Sequence, residues 1–143
     1  MNVGIYIYEN AEVLDFAGPF EVFATAARLC PQPAPFRVFL VAEKLAPVSA
    51  RAGFNVTPQF GFADHPAIDV LIVVGGDHSD EMHKPVVARW IATQAQAAHC
   101  VASVCTGAFL LAQAGVLSTQ RVTTHWDDLH QLQAQFPNLN VRE

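Results

Sequence analysis

The chain has 143 residues, 52% hydrophobic and 15% charged, which describes a single domain (residues 1–143) with no room for a second core or a long disordered tail. The formal net charge is −5 and the eight Lys and Arg residues are scattered, so there is no basic footprint and this segment is not expected to bind nucleic acid. Three cysteines in neither disulfide-framework nor zinc-type spacing, a start without the basic region of a signal peptide, and no apolar run near the roughly eighteen residues of a membrane helix lead to the expectation of a cytoplasmic protein without membrane contact.

Residues 3–8, rich in β-branched and aromatic side chains, read as a buried strand, and residues 36–41, 70–74 and 100–104 repeat the character. Between them lie helical stripes. Phe20, Phe23, Ala24 and Ala27 share a face behind Gly18-Pro19, which reads as a helix start; Val87, Ile91, Ala95 and Ala98 follow Pro85. Residues 47–58, centred on Gly53, look like a short hairpin. Phe109, Leu110 and residues 112–114 form a helix capped by Gly115, residues 121–124 a short strand, and Leu129, Leu132 and Phe136 a last stripe stopped by Pro137. Residues 140–143 resemble the first residues of a further strand, so the domain is expected to be incomplete at its C-terminus, with an unfinished sheet edge.

Strands alternating with helices predict an α/β fold, a doubly wound, mostly parallel sheet with helices on both faces. Ligands bind such sheets outside the carboxyl ends of the strands, so the loops after Tyr8, Val74 and Val104 should converge on one site.

Cys105 stands at one of these turns, in Val-Ala-Ser-Val-Cys-Thr-Gly-Ala-Phe. A sulfur beside a helix N-terminus is expected to be held as thiolate, which makes Cys105 a candidate nucleophile on an elbow-like turn; the plainer reading is a small buried residue. Asp15, in Val-Leu-Asp-Phe-Ala-Gly-Pro, is placed in the loop leaving the first strand, where it is either a solvated turn residue or a carboxyl raised toward general acid work by apolar neighbours; Glu21 is its rival. Gly75-Gly76 is either a tight turn or a backbone donor, the Gly76 N–H joining the Thr106 N–H in a two-donor anion hole. Phe16 is expected among the apolar side chains of the pocket, and His125 either packs on Trp126 or reaches the site. The six histidines fall on different elements in no ligand spacing, so neither a metal nor a cofactor is expected.

Asp-Phe-Ala-Gly-Pro-Phe-Glu-Val-Phe, Val-Val-Gly-Gly, the cysteine turn and Thr-Thr-His-Trp, in that order, resemble the ThiJ/PfpI superfamily of class I glutamine amidotransferase-like domains. The resemblance implies a flavodoxin-like fold and points to a branch containing isonitrile hydratases and ligand-sensing N-terminal domains of AraC-type regulators. By resemblance to the hydratases, Cys105 is the nucleophile, Asp15 the acid/base carboxylate and Thr106 the assisting residue, converting an isonitrile to an N-substituted formamide through a thioimidate. Thr106 stands where amidotransferases and proteases of the superfamily carry histidine, which argues against peptidase activity. The alternatives are a sensing domain that binds a small molecule without turnover, and a redox protein in which Cys105 is oxidised. Relatives dimerise, so a homodimer is implied.

Overall fold

The computed structural model describes residues 1–143. In chain order the elements are β1 (Asn2–Tyr6), α1 (Val13–Leu29), β2 (Arg37–Val41), β3 (Val48–Ala50), β4 (Phe54–Val56), β5 (Val70–Val73), α2 (Ser79–Met82), α3 (Pro85–Ala97), β6 (Cys100–Ser103), α4 (Gly107–Gln113), β7 (Arg121–Val122), α5 (Leu129–Gln135) and β8 (Asn140–Val141). The four apolar runs become one parallel sheet in the order β2-β1-β5-β6. Val3 of β1 pairs with Val38 on one side and Val70 on the other, and Ile72 of β5 pairs with Ala102 of β6. The chain leaves β1 through α1 toward β2 and leaves β5 through α2 and α3 toward β6. The connections therefore diverge between β1 and β5, which opens a crevice at the carboxyl ends of the sheet.

Burial follows strand position. Val3, Ile5, Tyr6 and Ile7 have no exposure, whereas in β6 Cys100 and Ala102 are exposed, because β6 has a neighbour on one side only. The main core joins the sheet to α1, α3 and α4 through side chains such as Phe39, Leu71, Ile91 and Leu110. A separate small core of Ala108, Phe109, Ala112, Leu132 and Leu139 holds α5 against α4.

Two local expectations change and one holds. α1 begins at Val13 rather than at Gly18-Pro19, and Pro19 lies inside it. Proline at that position costs one backbone bond, and Gly18, having no Cβ, removes part of the clash that normally keeps the residue before proline out of the helical region. Residues 47–58 do contain the hairpin, β3 antiparallel to β4, with its reversal at Ala52 and Gly53, both at positive φ. Residues Asn140–Val141 form a strand but do not extend the main sheet: they pair in parallel with β7 as a separate two-stranded unit.

The end of α4 matches its sequence. Val116 N–H donates to Leu111 and Gly115 N–H to Ala112, with Gly115 at φ 71°, the paired bonds of a Schellman stop. In α2, Glu81 is 3% exposed, accepts the Tyr6 hydroxyl and meets Lys84 Nζ at 2.8 Å. That pairing compensates the burial of the carboxylate.

Candidate active site

Backbone bonds bring the start of α1 to the turn after β5. Glu12 N–H donates to Gly75 C=O at 2.9 Å, and Asp77 N–H donates to Asn10 C=O at 3.1 Å. Asp15 thus sits in the first turn of α1, not in a loop, and its Oδ2 accepts the Gly75 N–H at 3.1 Å. A methyl group on Gly75 would lie 2.7 Å from Asp15 Oδ2, 2.7 Å from the Thr106 nitrogen and 2.8 Å from Cys105 Cβ. Acid, thiol and backbone donor therefore converge on the space that glycine leaves empty.

Cys105 follows β6 and has φ 52°, a left-handed conformation that non-glycine residues rarely adopt. Such strain at a strand-to-helix turn projects the side chain away from the sheet edge. Thr106 secures the next position. Its Oγ1 accepts the Gly76 N–H at 3.0 Å and donates to the Gly76 C=O at 3.0 Å, so it makes no capping bond to α4. This alters the expected anion hole: the Gly76 N–H is occupied by the Thr106 hydroxyl and the Gly75 N–H by Asp15, which leaves the Thr106 N–H as the donor facing the sulfur.

The electrostatics also depart from expectation. Burial pushes the Cys105 thiol above its ordinary value; the Asp15 charge and its hydrogen bond with the thiol add to the rise, against the stabilising Thr106 N–H and hydroxyl. Proximity to a helix start does not win, because α4 is short and a carboxylate faces the sulfur. Asp15 is raised as well, chiefly by burial, with the Gly75 N–H, the Cys105 thiol and His125 pulling the other way. The Cys105 thiol therefore rests protonated beside Asp15.

His125 lines the same polar cleft, about 380 Å³ in volume, together with Cys105, Thr106, Gly76, Glu12, Arg51, Asp77, His78, Asp128 and Gln131. The His125 Nδ1 accepts the Asp127 N–H at 3.4 Å and lies 3.5 Å from Asp128 Oδ2, with the Trp126 ring 3.8 Å away. Its two expected settings, packing and proximity to the site, thus coexist. Phe16 does not line the cleft: it is 4% exposed and belongs to the main core, because the start of α1 turns that face toward the sheet. Thr124 was not singled out by the sequence, yet its hydroxyl donates to the Cys105 C=O at 3.0 Å. No three His, Cys, Asp or Glu side chains converge as a metal would require. A smaller cavity, about 160 Å³, borders Glu81 and Lys84 and is separate from Cys105.

The model of the DJ-1/PfpI family matches residues 1–139. The chain belongs to the DJ-1/PfpI family. Within it, the chain is 36% identical to a protein of the cpoL 5′ region of Streptomyces lividans, over 95% of each. It is 34% identical to the isonitrile hydratase of Pseudomonas putida, over 88% of this chain and 53% of the hydratase. It is 33% identical to the HTH-type transcriptional regulator GbdR of Pseudomonas aeruginosa, over 64% of this chain and 25% of the regulator. The chain thus spans about half the length of the hydratase and a quarter of that of the regulator. The crystal structure of a ThiJ/PfpI family protein from Pseudomonas syringae superposes with a TM-score of 0.86 at 26% identity, covering 99% of this chain and 57% of the other. The DJ-1/PfpI fold, with a mostly parallel central sheet, is what the sequence pattern predicts. No helix of this family member is long and apolar enough to cross a membrane.

Proposed function

We propose that this DJ-1/PfpI protein hydrates an isonitrile to an N-substituted formamide, with Cys105 as nucleophile and Asp15 as acid and base. The observation that carries the reading is the meeting of Asp15 and Cys105 across Gly75. Because the thiol rests protonated against the carboxylate, Asp15 takes the thiol proton as sulfur bonds to the terminal isonitrile carbon, then gives that proton to the same carbon, forming a thioimidate. Water adds to the thioimidate carbon, its protons passing to nitrogen and to sulfur as the C–S bond breaks, so the formamide leaves and the Cys105 thiol is regenerated. The Thr106 N–H lies where negative charge on sulfur needs a donor.

The test is formamide production from an alkyl or aryl isonitrile by the wild type, Cys105→Ala and Asp15→Asn. Turnover by the wild type is expected, with rate losses of about 10²- to 10⁴-fold or more in the variants. Undiminished turnover in both variants overturns the mechanism.

The likeness to GbdR favours a second reading, a sensing domain whose cleft holds a small molecule. Its mark is ligand-induced thermal stabilisation with the ligand recovered unchanged.

A further inference from the structure

We infer that Thr124 is a positioning residue: by binding the Cys105 carbonyl it fixes the Cys105–Thr106 peptide so that the Thr106 N–H faces the Cys105 sulfur. The peptide unit is planar and trans, so its C=O and N–H point in opposite directions, and pinning the oxygen aims the hydrogen. The Thr124 hydroxyl donates to the Cys105 oxygen at 3.0 Å from nineteen residues further along the chain. Cys105 is at φ 52°, where the backbone does not hold itself, so an external tie is needed to keep this peptide from turning over. The bonds between the Thr106 hydroxyl and Gly76 hold the far end of the same unit. Thr124 thus ties the segment carrying His125 to the reacting sulfur without touching substrate.

For catalysis the inference rests on the hydratase reading; for the thiol it stands on geometry alone. The test compares Thr124→Val and Thr124→Ser in the full chain. Alkylation of Cys105 by iodoacetamide is followed against pH by peptide mass spectrometry, which separates it from the exposed Cys30 and Cys100. The charged and titratable groups around the thiol are Glu12 and Asp15 at the start of α1, Tyr8 after β1, Arg51 after β3, Asp77 and His78 after β5, and His125 and Asp128, and neither variant changes them. Thr124→Val is expected to raise the thiol midpoint by about one pH unit. It should lower isonitrile kcat by roughly tenfold, less than deleting an anion-hole donor outright, with KM within about twofold. Thr124→Ser should restore both.

A wild-type midpoint in folded Thr124→Val, or a folded Thr124→Ser that behaves like the valine variant, overturns the inference. Should Thr124→Val not fold, Thr124→Ala against Thr124→Ser gives the same comparison. If the wild type turns over no isonitrile, the hydratase reading falls and the alkylation profile alone decides the role of Thr124.

Discussion

β1 and β6 are parallel strands of the same sheet, and each delivers one half of the site by a different means. β1 has neighbours on both sides and buries Val3, Ile5 and Tyr6 completely, so the start of α1, and Asp15 with it, is fixed by the core and by backbone bonds to the turn after β5. β6 is an edge strand with alternate residues exposed, and Cys105 beyond it is held by side-chain hydroxyls, Thr106 on Gly76 and Thr124 on the Cys105 carbonyl. Substitutions near the acid should therefore register mainly as stability, and those near the thiol mainly as rate.

The largest contrast comes from two glycines. Gly75→Ala places a methyl group 2.7 Å from the Thr106 backbone nitrogen and 2.8 Å from Cys105 Cβ, where relief must move the thiol and its neighbouring backbone. On the hydratase proposal, isonitrile kcat/KM should fall by about 100-fold. Gly4→Ala meets the end of the Ile68 side chain at 2.7 Å, which can shift, so it should cost about 1–3 kcal/mol in chemical denaturation and leave kcat/KM near wild type. Equal losses of rate in the two variants would erase the distinction between the strands.

Thr106→Val removes both hydroxyl bonds to Gly76, and about a tenfold lower kcat is expected from steady-state rates, with only a small change in Tm.

Asp15→Asn sharpens the comparison through pH. Removing the carboxylate takes away a charge and an acceptor that hold the thiol proton, so the Cys105 midpoint should move down, read by alkylation against pH. The stability effect has the opposite sense to that of a salt-bridged acid. Burial raises Asp15 above 3.8, so its contribution is fully present below that value and is lost as pH rises through the folded pKa. Relative to wild type, Asp15→Asn should gain about one or two degrees in Tm near neutral pH, measured by calorimetry, and the gain should disappear in acid.

The strands, the cysteine turn and the Gly115 stop were legible because apolar period and turn chemistry are local. Asp15 was legible as a candidate but misplaced, since Gly18-Pro19 carries the usual signal of a helix start while the helix runs through it. Phe16 reads as a pocket residue because nothing in Val-Leu-Asp-Phe-Ala-Gly-Pro says which face looks inward until the start of the helix is known. Thr124 and Glu81 lay out of reach for another reason: a hydroxyl that finds a distant carbonyl, and a carboxylate that finds Tyr6 and Lys84, leave no period and no spacing in the text.

The left-handed backbone at residue 105 carries an evolutionary consequence. Glycine would relax that turn, while serine or alanine would keep its strain without its sulfur, so the replacement best for folding is also one that abolishes the proposed covalent chemistry. Drift at this codon, once selection for reactivity lapses, leads toward a sturdier and inert protein.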